Sequence, residues 1–363
     1  MVILLTVVLL GLLVLGVALQ LMSPGKPRPI LDAARNPRPG SISEKVFVDV
    51  NGTRQGMFIK GVNATSPVLL YLHGGMPDYF LSARYPTGLD NTFTVVWWEQ
   101  RGSGISYSPD IPRETMTMEQ LILDVLAVTD YLRQRFEKPK IYLMGHSGGS
   151  FIGIQAAARS PGRYQAYIGV AQMSYQLESE RLGYEYMLER FKANSNTAMV
   201  NRLLAAPVTL SGGVPRRYAA LRDVAMHRLG IGTMRQMRSL LTGLVLPSFQ
   251  FQEYTLKEKV NLWRAKSRSG ISIVWDRMVT TDLRQQLIEM EMPVYFFHGR
   301  FDYTVNYDLA KDYLDSIRAP VKGFYTFNSS AHSPMFEEPE RMNRILREDV
   351  LMGHNNLADG RCA

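Results

Sequence analysis

Residues 142–153 read YLMGHSGGSFIG, and they decide the fold. An apolar, strand-like run (IYLMG) meets a helix-like run of small residues (GSFIGIQAAARS) at a turn containing Ser147. Glycines sit two positions before and two positions after that serine. G-x-S-x-G alone is a weak pattern, but placed between a strand and a helix it acquires a geometric reason. At so sharp a turn the central residue takes a strained backbone conformation, only small neighbours avoid a clash, and the hydroxyl is lifted clear of the chain. Ser147 is therefore the candidate nucleophile, with the following helix N-terminus aimed at it.

Outward from this turn the chain alternates strand and helix. PVLLYLHGG (67–75) is a continuous apolar run ending in glycines, as a buried parallel strand would be. FTVVWW (93–98) is another strand, and residues 116–136 carry the apolar stripe of an amphipathic helix. Residues 45–62 hold two alternating segments around Asn51-Gly52, a strong hairpin signal. YQAYIGVAQ then reads as a strand, and the alternation resumes with PVYFFHGR (293–300), YDLAKDYLDSIRA, VKGFYTFNSS and a last helix in PERMNRILREDVLMG. The pattern predicts an α/β fold with a mostly parallel, doubly wound sheet, its core formed by residues 41–172 and 293–363. Between them, over 173–292, strand signals give way to helical patterns, TMRQMRSLLTGL among them. About 120 inserted residues of this kind predict a helical cap over the carboxyl edge of the sheet, where such folds bind ligands.

Residues 1–22 carry no charged side chain, and roughly 20 apolar residues in a helix match the thickness of a hydrocarbon core. The expectation is an uncleaved transmembrane anchor, with a cleaved signal as the alternative. Residues 23–40 hold Lys26, Arg28, Arg35, Arg38 and five prolines, and read as a basic, semi-extended spacer. By the positive-inside tendency the folded part stays cytoplasmic; after cleavage it would be secreted or periplasmic.

The full chain has 363 residues and a net charge of +8. No basic run interleaves with aromatics and no finger or helix-turn-helix spacing occurs, so nucleic acid is not an expected partner. An anionic membrane surface suits the charge better. The single cysteine, Cys362, allows neither an intrachain disulfide nor a cysteine metal cluster. Neither metal nor cofactor is expected, and the oligomeric state stays open.

A serine hydroxyl needs a base, and the base needs an orienting carboxylate. In the chain order of this fold the carboxylate and then the histidine follow late strands. Asp302 follows PVYFFHGRF and His332 follows VKGFYTFNSSA. Of six histidines, only His332 lies between the last strand and the last helix; Asp308, the nearest rival to Asp302, begins a helix and reads as an N-terminal acid. The oxyanion donors expected are the N–H of Gly148 and that of Gly75 in HGGMPDY, with Met76 as the alternative to Gly75. Ser147 excludes the chemistries of this fold that need a carboxylate at the nucleophile turn.

The set HGG (73–75), EQRGSGIS (99–106), GHSGGS (145–150), GRFD (299–302) and AHSPMFEEPERM (331–342) resembles the α/β-hydrolase superfamily, and within it the proline iminopeptidases. The resemblance covers about residues 46–349. It implies hydrolysis through an acyl-enzyme on Ser147 without cofactor, on a peptide with N-terminal proline whose amine is held by acidic cap residues. Glu178, Glu180 and Glu185 are the candidate amine-binding acids, each also readable as part of a solvated helix face. Two departures stand out: Met76-Pro77 where the family reads HGGPG, and Glu99 at the head of the family's DQRG. An aminopeptidase and an esterase of small acyl substrates both stay open, as does a non-catalytic scaffold on the same fold.

Overall fold

The computed structural model describes residues 1–360, without the side chains at 2–4, 8, 12 and 15; Cys362 lies outside the described residues. Eight strands form one sheet: β1 (Ile42–Val50), β2 (Thr53–Gly61), β3 (Val68–Leu72), β4 (Thr94–Glu99), β5 (Ile141–His146), β6 (Tyr164–Val170), β7 (Val294–Gly299) and β8 (Lys322–Phe327). Their order is β1-β2-β4-β3-β5-β6-β7-β8. β1 and β2 pair antiparallel, as do β2 and β4, and every later pairing is parallel. The hairpin lies where Asn51-Gly52 places it: both residues have positive φ, 48° and 74°, so the turn twists with the strands it joins.

Both faces of the sheet are covered. Along β3, Leu70 and Leu72 enter one apolar cluster with Val125, Val128 and Ile152, while Leu69 and Tyr71 enter another with Phe297, Tyr325 and Leu346. This period-two division explains why the strand reads as an unbroken apolar run. The predicted helix is α2, Met118–Arg135, whose N-cap Thr117 accepts the N–H of Gln120 at 3.1 Å.

The EQRG motif works inside this layer. Arg101, 1 % exposed, is ion-paired to the fully buried Asp124, Nε to Oδ2, at 2.6 Å. Asp124 also accepts from the amides of Asn51, Gln55 and Gln120, and Arg101 donates to the carbonyls of Val50 and Asn51. Its own carbonyl accepts from Gly270 N–H, tying the motif to the inserted region. Removing one partner strands the other charge in the interior. Asp124→Ala is therefore expected to lower stability by about 3–5 kcal/mol, read as a shift of the urea midpoint.

Between β6 and β7 the described residues form no strand of the sheet, and the helices there include α4 (Gln176–Ala193), α5 (Thr197–Leu204), α6 (Arg216–Leu229), α8 (Leu256–Ala265) and a short helix at Trp275–Thr280. α4, α5 and α6 share a core of their own, with Met187, Leu203, Tyr218 and Ala225 at its centre and Val279 added to it, whereas α8 sends Leu262 into the sheet-side cluster. One expected helix differs. The stretch 233–239 is irregular, and helical turns resume only at Leu241–Val245 and α7 (Leu246–Gln250). There Met234 and Met237 are buried against the sheet-side cluster, and Arg235 N–H donates to Glu337 Oε1 at 2.6 Å. Burial of those side chains overrides the local helical preference.

The N-terminal expectations need correction. α1 spans Val2–Leu21, but among the described residues no helix is long and apolar enough to cross a membrane. The spanning anchor expected over 1–22 is not met. Its positions 2–4, 8, 12 and 15 are side chains outside the described residues. Nor is 23–40 a free spacer. Gly25 N–H donates to Gln252 O, Arg28 N–H to Glu253 Oε1, and Lys60 Nζ to the Arg28 carbonyl. An extended chain has unpaired backbone groups, and here the cap and β2 satisfy them.

Candidate active site

The turn at Ser147 is built as its glycines require. Ser147 has φ 54° and ψ −123°, a strained conformation for a residue with a side chain, and α3 (Gly148–Arg159) starts directly after it. A Cβ on Gly145 would lie 2.6 Å from the Gly149 carbonyl oxygen and 2.6 Å from Ser150 Cα. One on Gly149 would lie 2.5 Å from the His73 carbonyl oxygen. These are backbone atoms with nowhere to go. Gly149→Ala is expected to cost about 1–3 kcal/mol through forced backbone shifts, measured by thermal unfolding.

Asp302 and His332 come together from separate loops, after β7 and β8. His332 Nδ1 lies 2.8 Å from Asp302 Oδ2, and both side chains are buried. Asp302 Oδ1 is fixed by two backbone donors, Thr304 N–H at 2.8 Å and Val305 N–H at 3.0 Å. His298 Nε2 stands 3.3 Å from Oδ2. Burial alone would raise the Asp302 pKa, but His332 and His298 outweigh it and hold the carboxyl far below the usual range. Burial likewise dominates at His332, lowering its pKa against the opposing pull of Asp302.

Ser147 and His332 line the same cavity of about 220 Å³ beneath the inserted helices. Gly74 and Gly75 line it too, and a Cβ on Gly74 would come within 2.8 Å of Ser147 Cβ. Gly148 is the first residue of α3, where an N–H has no intrahelical acceptor. The glycine loop is held by His73: its Nε2 accepts Gln100 N–H at 3.1 Å, and Gln100 Nε2 donates back to the His73 carbonyl at 2.8 Å. Burial pushes the His73 pKa down to about 4, so the ring stays neutral. This explains why HGG and EQRG occur together.

The three cap glutamates stand elsewhere. Glu178 and Glu185 both pair with Arg181. Glu180 is buried, bound by Arg222 Nε at 2.6 Å and by Gln176 at 2.9 Å. None of them is among the residues lining the cavity, whose carboxylates are Asp78 and Asp223. Asp223 accepts from Arg222 at 3.0 Å, and Arg222, Lys266 and His227 also face the cavity, with Met226, Leu240 and Trp275 supplying apolar wall. Helical periodicity in α6 marks Leu221 and Ala225 as inward but says nothing of which polar neighbours overhang a site. Asp78 and His146, on the glycine loop and directly before Ser147, were not singled out by spacing.

Residues 67–339 match the family described as alpha/beta hydrolase fold. A Bacillus subtilis (strain 168) protein named "Probable aminopeptidase YbaC" is 30% identical over 331 residues, covering 85% of this chain and 97% of its own. Among solved structures, a proline iminopeptidase of Mycobacterium smegmatis superposes with a TM-score of 0.60 at 13% identity, covering 85% of this chain and 98% of that one. A thermophilic esterase of Thermogutta terrifontis gives 0.52 at 18% identity, covering 86% and 100%; at such identities the likeness is one of fold. With a matching family over most of its length, and a strand–turn–helix of the required geometry at the centre, this chain belongs to the alpha/beta hydrolase fold family.

Proposed function

We propose that the protein is a serine hydrolase that removes an N-terminal residue from short peptides through an acyl-enzyme on Ser147. The observation that carries this is the oriented Asp302–His332 pair in the same cavity as a serine at a strained turn. Ser147 Oγ attacks the scissile carbonyl while His332 Nε2 takes its proton, and the N–H groups of Gly148 and Gly75 receive the oxyanion. His332 then protonates the leaving amine, water attacks the acyl-enzyme with His332 as base, and Ser147 is regenerated. The name of the Bacillus relative supports the peptidase form.

A second reading, an esterase of small acyl substrates, is favoured by the engagement of all three cap glutamates with arginine or amide partners. The two are separated by measuring turnover of proline and other aminoacyl anilides against short acyl esters, with Ser147→Ala as the blank. Turnover of the esters alone would end the aminopeptidase reading.

Because the base must be neutral and its pKa is lowered, kcat/KM is expected to hold at acid pH beyond an ordinary histidine. The acid limb should have its midpoint below about 6.5. A midpoint above that value contradicts the burial assigned to His332.

A further inference from the structure

His146 lies directly before Ser147, and it reaches both other loops of the site. Its Nε2 is 2.9 Å from the backbone carbonyl of His332, and its Nδ1 is 3.2 Å from Asp78 Oδ2. Asp78 stands three residues beyond Gly75 on the glycine loop, directly after the Met76-Pro77 departure, and its Oδ2 also accepts from Tyr71 hydroxyl at 2.7 Å. The imidazoles of His146 and His332 are 4.8 Å apart, centre to centre. A carbonyl only accepts, so Nε2 donates. Nδ1 faces a carboxylate oxygen at hydrogen-bond distance. Both groups are buried, at 5 % and 9 % exposure.

We propose that His146, braced by Asp78, is a positioning residue that fixes the base loop and the oxyanion loop relative to the nucleophile. The inference rests on the serine-hydrolase reading above. Asp302 orients the His332 ring through its side chain; His146 holds the same residue through its backbone. Without that bond the 330–333 loop loses its tie to the nucleophile turn, and the base drifts relative to Ser147. A small displacement is enough, since about 1 Å can cost about 10²-fold in rate.

The two arms can be cut separately. An asparagine amide sits where Nδ1 sits and can donate to Asp78; a glutamine amide sits where Nε2 sits and can donate to the His332 carbonyl. The experiment measures phosphonylation of Ser147 by a fluorophosphonate on the full chain, which needs no knowledge of the substrate, with melting curves for every variant. His146→Ala is expected to lower kinact about 10–100-fold with KI unchanged. His146→Gln should recover most of the loss and His146→Asn little of it. Equal rates for the Gln and Asn variants, or an Ala variant that labels like wild type, would overturn the proposal. Unfolding of all three would do so as well, making His146 a fold-supporting residue only. If the Ala variant alone fails to fold, the Gln-to-Asn ratio decides. Absence of labelling on the wild type would instead remove the hydrolase reading, and this inference with it.

Discussion

Ser147→Ala is expected to reduce kcat by about 10⁶-fold on whichever substrate the wild type turns over best, while leaving the melting temperature unchanged or slightly raised. The size follows from the loss of the only group proposed to form a covalent bond, which leaves the cavity and the oxyanion donors to act on water alone. The unchanged fold follows from the turn. The strain at φ 54° and ψ −123° is imposed by β5, α3 and the glycines around them. Alanine keeps the Cβ that this backbone already accommodates. Steady-state rates and thermal melts on the same preparation check both halves. A variant retaining more than a small fraction of the wild-type rate would mean that Ser147 is not the nucleophile.

Asp302→Asn should cost about 10⁴-fold in kcat at neutral pH, and geometry says why. The Oδ1 position receives two backbone N–H groups, from Thr304 and Val305. An asparagine must place its oxygen there, because its NH₂ would face two donors. Its NH₂ is then forced toward His332 Nδ1, to which it donates. The ring responds by carrying its own proton on Nε2, the nitrogen that must be bare to accept from Ser147. The base is present, well ordered and in the wrong tautomer. Rates measured beside unfolding curves distinguish this from a folding defect, and a variant within tenfold of wild type would show that Asp302 does not set the tautomer.

Local rules made much of this legible. The glycines around Ser147 and the Asn51-Gly52 hairpin each have a single conformation that suits them, so their residues announce it. The pairing of Asp302 with His332 follows from chain order in a parallel sheet, where successive loops open on one edge. The cap resisted because its site-facing residues are selected by contacts between distant helices. Glu178, Glu180 and Glu185 share a helix with the right charge, yet the arginines 181 and 222 occupy them. Arg222 is far along the sequence from Glu180, and no periodicity relates the two. The Asp78–His146 contact was hidden for the same reason: Asp78 lies on the loop after β3 and His146 at the end of β5, and only the sheet order makes them neighbours.

The insertion between β6 and β7 has a consequence for how the chain is made. β7 must pair with β6 across more than a hundred intervening residues, and both Asp302 and His332 come after that gap. Closing so long a loop is slow compared with forming the hairpin or the β3–β5 layer. During synthesis the ribosome therefore releases Ser147 long before Asp302 and His332, and the edge of β6 waits unpaired for β7. A polypeptide interrupted between β6 and residue 293 presents that exposed edge and lacks Asp302 and His332, which makes it a client for chaperones and proteases.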